Sequence, residues 1–414
     1  MGKKKKKDIL FLCQFFYPEY NSSATLPFDT AKYLAANGMT VDALVGYPKE
    51  YSADKHLPLT ETVDDVTIHR LKYLQLNRVG KLGRLINYFS FTFRVWTKIF
   101  FLKHYKTVIV YSNPPILPII PIKAKKKYGT KIVFVAYDVY PEVAYASQTL
   151  TPDSIISKIM GTINKQLYKS VDCVVALTDE MKGFLLANRP QLTEDRVVTI
   201  ANWAHEQKSQ PDHEAYERFG YKENQFVVSY FGNMGTCQDV DTMLEAAEQL
   251  KDDERIKFLI IGHGNKKDMV EDRIRERKLK NMQLLYFLTG KDFQQAVAIS
   301  SCCIVSLEKG LKGTCAPSKY YSYLQGGKPV LAVVEKDSYI ATEVEKEQIG
   351  YSVEISDGTA LKNSIIKMLE DPEKRMEMGK RAMNLYDKNY AYDKAMEKYY
   401  QMFMEKCGIT CVKG

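Results

Sequence analysis

The chain has 414 residues, 45% of them hydrophobic and 26% charged, with a net charge of +9. This is the composition of a globular protein long enough for two or three domains. The excess charge comes with no aromatic-basic RNA signature and no zinc-finger spacing, so no nucleic-acid partner is expected.

The eight cysteines include no Cys-x-x-Cys pair, so neither a metal site nor a disulfide framework is indicated. A reducing cytoplasm fits best. Lys3 to Lys7 is basic, but the apolar run behind it, Ile9 to Cys13, is too short for the core of a secretory leader. No apolar run approaches the length of a membrane span.

In chain order, Ile9 to Phe15 reads as a buried strand, followed by the polar turn Tyr17 to Ser23 and a helix that stops at Gly38. Val41 to Val45 is the next strand. Such a β-loop-α-β opening begins a doubly wound parallel sheet, whose ligands sit at the carboxyl ends of strands. Glu19, Asn21 and Ser22 therefore face the region where a ligand would lie, or cap the helix that follows. Val63 to Leu71 reads as one further strand.

Gly80 to Lys103 mixes Arg84, Arg94, Lys98 and Lys103 with aromatic residues on nearly every side, among them Phe89, Phe93 and Trp96. This is the composition of an interfacial helix, although a helix between domains or inside a core competes with that reading. Contact with a membrane surface is expected, because Lys3 to Lys7 and Lys123 to Lys127 belong to the same half of the chain.

The alternation continues through strands at Val108 to Tyr111 and Lys131 to Tyr137. The second of these ends in Asp138-Val139-Tyr140-Pro141-Glu142. Asp138 is the first-domain carboxylate that stands out as an acceptor contact or proton acceptor, with a helix cap as its bland alternative. Glu142 is a weaker candidate of the same kind. After a hinge near Asn202 to Pro211 the pattern restarts with strand Phe226 to Phe231, the loop Gly232-Asn233-Met234-Gly235, strand Ile256 to Ile261 and the loop Gly262-His263-Gly264.

Cys302 to Leu307 is another buried strand. Pro317-Ser318-Lys319 behind it reads as a helix's first turn, which Pro tolerates. A loop entering a helix N-terminus attracts anions, and Lys309, Lys312 and Lys319 add formal charge, read as solvent-facing. A phosphate-bearing ligand is expected there. Past Asp371 the chain is helical and charged to Cys407.

Seven runs in a fixed order, FFYPEYNSSAT, YSNPP, YDVYPE, ANW, YFGNMG, IIGHG and PSKYYSYLQGGKPV, resemble glycosyltransferase family 4, the retaining transferases of the GT-B fold. The similarity spans nearly the whole chain and points to the branch of bacterial capsule, O-antigen and exopolysaccharide synthesis that includes fucosamine transferases. It implies an α/β architecture of two Rossmann-like domains facing a cleft. Residues 1–203 form the acceptor side, 204–385 the nucleotide-sugar side, and 386–414 a terminal helix that packs back.

The resemblance implies transfer of a sugar from a nucleotide-diphosphate donor, UDP-linked in most of the family, to a glycan or lipid-linked glycan acceptor. The enzyme would work on the cytoplasmic face of the cell membrane, and no metal or cofactor is implied. Donor-diphosphate contacts fall on Gly232, Asn233, Gly235, Pro317, Ser318 and Lys319, and nucleotide contacts on Gly262, Gly264, Leu288, Thr289 and Ser322. Asn233 and Gln238 stand where the family often has Arg and Lys, and Thr314 and Ser322 where it often has two glutamates. Two alternatives stay open: a nucleotide-sugar 2-epimerase on the same fold, and a non-catalytic partner that has lost its donor site.

Overall fold

The computed structural model describes residues 6–48, 56–76, 81–204, 210–212, 214–286 and 288–409. Lys3 to Lys5, Gly80, Phe287 and half of the expected hinge, residues 205–209, lie outside them. Eight strands form the first sheet: β1 Lys7–Cys13, β2 Val41–Gly46, β3 Thr60–Val63, β4 Val66–Leu71, β5 Tyr105–Tyr111, β6 Lys131–Ala136, β7 Cys173–Ala176 and β8 Val197–Thr199. Their order is β3-β4-β2-β1-β5-β6-β7-β8, parallel throughout except for the antiparallel pair β3-β4. That pair replaces the single strand expected over Val63 to Leu71. Asp64 and Asp65 adopt φ of 48° and 62°, the left-handed pair that a two-residue hairpin turn requires.

Six parallel strands form the second sheet: β9 Phe226–Asn233, β10 Ile256–His263, β11 Met282–Leu285, β12 Cys302–Ser306, β13 Val330–Val333 and β14 Gly350–Val353, ordered β11-β10-β9-β12-β13-β14. Helices cover both faces of each sheet, so the central strands are buried on both sides and read in the sequence as unbroken apolar runs. The direction of winding reverses between β1 and β5 and between β9 and β12. Crevices at the carboxyl ends of such switch points are where doubly wound sheets hold ligands.

Core membership changes between Trp203, which packs with Ile9 and Phe11 of the first sheet, and Ala204, which packs with Phe231 of the second. The tail reverses this. Tyr386 still belongs to the second core, whereas Met396, Tyr399 and Phe403 of helix Tyr392–Cys407 are buried in the first. A π-helical segment, Tyr386–Tyr390, makes the crossing.

The halves also meet across the cleft. The Val139 N–H donates to the Thr314 carbonyl at 2.7 Å, and Asp138 and Cys315 form an isolated bridge. Glu180, in the first turn of helix Asp179–Asn188, accepts from the N–H groups of Gly313 at 2.9 Å and Tyr339 at 3.0 Å. One first-domain carboxylate thus holds two second-domain segments, one on either side of the phosphate-side turn.

Two expectations follow. Phe403→Ala removes a fully buried ring and should destabilise the first domain by about 3–5 kcal/mol. Both tryptophans, Trp96 and Trp203, lie in that domain, so a lowered urea midpoint in their fluorescence reads this out, and an unchanged midpoint contradicts it. Glu180→Ala should speed hydrogen exchange at the Gly313 and Tyr339 amides while leaving β9 amides protected. Equal acceleration at all of them would mean that Glu180 serves general stability and not the clasp.

Candidate functional site

Two glycine loops make the floor of the site. β9 and β10 run in register to their ends, with Gly262 opposite Gly232 and His263 opposite Asn233. A Cβ on Gly262 would come within 1.9 Å of the Gly232 carbonyl oxygen, and one on Gly264, at φ +136°, within 2.4 Å of the Met234 oxygen. Only glycine lets the loops close, which is the physical content of the GxG pattern at Gly262 and Gly264. The Met234 N–H donates to the His263 carbonyl at 2.6 Å and the Lys266 N–H to the Met234 carbonyl at 2.9 Å. The Gly235 N–H donates at 3.0 Å to Oε1 of Gln238, so the residue in place of a family lysine ties up one of the loop's own donors.

The phosphate-side turn differs from its sequence reading. Pro317 and Ser318 precede the helix, which runs Lys319–Gln325 with Ser318 at the N-cap. Among the three expected lysines, Lys309 is exposed and Lys312 is ion-paired with Asp337. Lys319 is not the solvated cation expected. Its amine lies 3.6 Å from the centre of the Tyr230 ring, beside Gly232, and has no hydrogen-bond acceptor among the described residues. Burial pushes its pKa down to about 7. Tyr230 is itself held by its hydroxyl, which donates to the Asn233 carbonyl at 2.7 Å.

Lys266 was missed by sequence reasoning. From the turn after β10 its ammonium donates to the Gln238 carbonyl at 2.7 Å and pairs with Glu308 at the end of β12. The sequence signal is a lysine two residues past Gly264, away from the positions of Asn233 and Gln238 where the family's basic pair often stands. Ser322 is half-buried inside the short helix, and Thr314 is buried with its carbonyl spent on Val139. Leu288 packs against the second core and Thr289 is exposed at the start of helix Gly290–Ile299, beside the undescribed Phe287.

Across the cleft, the Ser22 hydroxyl lies 3.3 Å from that of Ser318, which brings an expected acceptor-side residue against an expected donor-side one. Asn21 occupies the N-cap of helix Ser22–Ala36 without a side-chain cap bond, and its Nδ2 is buried without an acceptor among the described residues. Glu19 faces inward instead: it is 4% exposed and its carboxylate accepts from the Phe16 N–H at 3.3 Å, holding the turn together.

Asp138 follows β6, and its N–H donates to the Ser112 hydroxyl at 3.0 Å. Its carboxylate caps no helix, since the next one, Glu142–Ala146, starts behind Pro141 with no side-chain cap. Burial raises that carboxyl to about 6. Cys237 and Cys315 of the second domain lie close enough for its charge to be felt. Glu142 is engaged elsewhere, with both carboxylate oxygens on the Arg189 guanidinium at 2.7 Å. Among the described residues no cluster of His, Cys, Asp or Glu could hold a metal ion.

Residues 213–385 match the family described as glycosyl transferases group 1. The probable glycosyltransferase WbjE of Pseudomonas aeruginosa is 27% identical over 267 residues, which cover 64% of this chain and 66% of that protein. The chain spans no more than 66% of the length of the curated relatives it matches. Over 96% of its length it superposes on 99% of sucrose-phosphate synthase from Thermosynechococcus elongatus, with a TM-score of 0.77 and 15% identity. HepE of Anabaena, solved in complex with UDP-glucose, superposes over 96% of this chain and 99% of its own, with a TM-score of 0.69 and 16% identity. The chain therefore has the GT-B fold, and its residues 213–385 match the glycosyl transferases group 1 model.

Proposed function

We propose that this protein is a retaining glycosyltransferase that moves a sugar from a nucleotide-diphosphate donor, UDP-linked, to a lipid-linked glycan in the synthesis of a bacterial surface polysaccharide. The observation that carries this reading is the juxtaposition of Lys319 and the Gly232–Gly235 floor with Ser22 and Asp138 of the facing domain. The donor's diphosphate lies over Gly232, Asn233, Gly235 and Ser318, beside Lys319. Its nucleoside extends toward Gly262, Gly264, Leu288 and Thr289, and the acceptor enters past Asn21 and Ser22. UDP is favoured because HepE, of the same fold, holds UDP-glucose.

In the reaction the bond from the anomeric carbon to the diphosphate oxygen breaks, and one from an acceptor oxygen forms on the same face. Charge develops on the leaving diphosphate, where Lys319 meets it, and such electrostatic stabilisation is a major part of catalysis. The acceptor hydroxyl's proton passes to Asp138. A carboxyl near 6 is suited to this, being ionised at neutral pH yet more basic than an exposed aspartate.

The membrane reading rests on helix Lys81–Trp96 and the turn behind it. Phe91 and Val95 are in the first core, while Phe89 is 44%, Phe93 65%, Trp96 38% and Phe100 60% exposed. Lys123 lies 4.9 Å above the Trp96 ring and Lys127 4.8 Å above that of Phe100, so the exposed apolar face is rimmed by cations, as an interfacial helix requires. Lys7 and Lys125 add less, being paired with Asp42 and Asp172. No helix among the described residues is long and apolar enough to cross a membrane.

Incubation with a panel of nucleotide sugars and a lipid-diphosphate sugar, with mass spectrometry of the product, tests the activity. With the productive donor found, Asp138→Asn should lower turnover by about 10²-fold or more at unchanged donor affinity. A fall in donor affinity instead would move Asp138 to the other half of the site. Vesicle flotation tests the surface: the protein should bind anionic vesicles, salt should release part of it, and serine at Phe89, Phe93 and Trp96 should abolish the salt-resistant remainder. Equal binding to neutral and anionic vesicles, or none to either, would reject it.

A further inference from the structure

The amine of Lys319 sits where a permanent cation would have no partner among the described residues. It lies over the Tyr230 ring, its stem crosses Gly232, and no acceptor reaches it among the described residues. The titratable groups around it are committed elsewhere. On β9 the Tyr230 hydroxyl is bonded to the Asn233 carbonyl. Glu308 after β12 is paired with Lys266 after β10. Asp239 accepts from the Thr242 N–H. His263 on β10 is held below its ordinary pKa by burial, and Asp138 belongs to the facing domain beside Cys315. Ser22 and Ser318, the polar contact nearest the start of its helix, carry no charge. An ammonium here would lack both water and counter-ion, which favours the neutral amine.

We propose that Lys319 is a latent cation, unprotonated for much of the time in the empty site, and that the donor's diphosphate draws a proton from solvent onto it as it binds. This rests on the donor reading above and adds to it. The amine's lone pair takes the proton, no bond in the donor changes, and the proton returns to solvent when the nucleotide leaves. Lys319 then acts as a specificity residue, because only a ligand carrying negative charge at this position turns the cation on. A nucleoside lacking phosphates gains nothing from it.

The direction with pH follows from the mass balance. The bound state holds one proton more, so affinity falls as pH rises above about 7, by up to tenfold per unit. Well below that value the lysine is already protonated and its contribution to the dependence disappears.

Isothermal titration of UDP into the full-length protein at about pH 8, in HEPES and in Tris, counts the protons through the two buffers' different ionisation enthalpies. UDP's terminal phosphate, with a pKa of about 6, contributes almost none there. Uptake close to one proton is expected for the wild type. None is expected for Lys319→Arg, whose charge is permanent, and its UDP affinity should stay level as pH rises. Lys319→Met should bind UDP more weakly and also without uptake. Tight binding of UDP with no uptake, or uptake that survives in Lys319→Arg, overturns the latent cation and leaves the donor reading in place. No binding of UDP, GDP or ADP by the wild type overturns both.

Discussion

A lysine amine held against an aromatic face, with no acceptor for its protons among the described residues, sets the terms for the whole cleft. A desolvated cation over a ring gains ~2 kcal/mol, far less than hydration returns, so the arrangement persists only because everything around Lys319 is fixed. The short helix it begins is anchored by its tyrosines. Tyr320 donates at 2.6 Å to Glu343, and Tyr390 of the π-helical crossing donates at 2.6 Å to the same carboxylate. The Tyr323 hydroxyl accepts from the Phe231 N–H at 3.0 Å, on the strand that also carries Tyr230. Strand, helix and tail are thus joined around one unpaired charge site.

This explains what the sequence could and could not reveal. Parallel strands buried on both faces leave apolar runs, and loops that must pass within van der Waals contact leave glycines. β9, β10 and the Gly262–Gly264 turn were therefore readable. Tyr320 and Tyr323 stand in the run PSKYYSYLQGGKPV, but their hydroxyl partners, Glu343 and the Phe231 N–H, lie on other elements and leave no local trace. The same holds for Lys266, whose side chain reaches a loop from the neighbouring strand, and for Glu180, whose two bonds cross between domains. Lys319 was read as solvated because a lysine after a proline at a turn usually is. Its burial depends on Tyr230, some ninety positions earlier.

The first domain joins surface and chemistry in one body. The helix that exposes Phe89 and Phe93 buries Phe91 and Val95 in the core that also contains Val139, the residue after Asp138. Arg84 and Tyr88, toward that helix's start, are close enough to Tyr140 for their charges to be felt. If the aromatic face rests on lipid, the Asp138 loop keeps a fixed height above it, and an acceptor held by its lipid tail meets the carboxylate without a further search. The Glu180 clasp and the returning tail tie the second domain to the first, so the same face would set its height as well.

In the proposed reaction two perturbed groups of the cleft, Asp138 and Lys319, titrate on opposite sides. Asp138 must be ionised to accept a proton, so acid below about 6 silences it whatever the donor concentration. Lys319 must be protonated to hold a diphosphate, so alkali weakens binding, and excess donor can offset that loss by mass action. The acid limb therefore belongs to turnover and the alkaline limb to donor capture. Among the described residues neither group has a counter-ion from its own domain, and burial is the cause of each shift. In the proposed reaction the substrates supply what the protein withholds: the diphosphate gives Lys319 its anion, and the acceptor hydroxyl gives Asp138 its proton. On that reading the cleft is least comfortable when empty, which is how a site with so few fixed charges would favour a doubly charged donor.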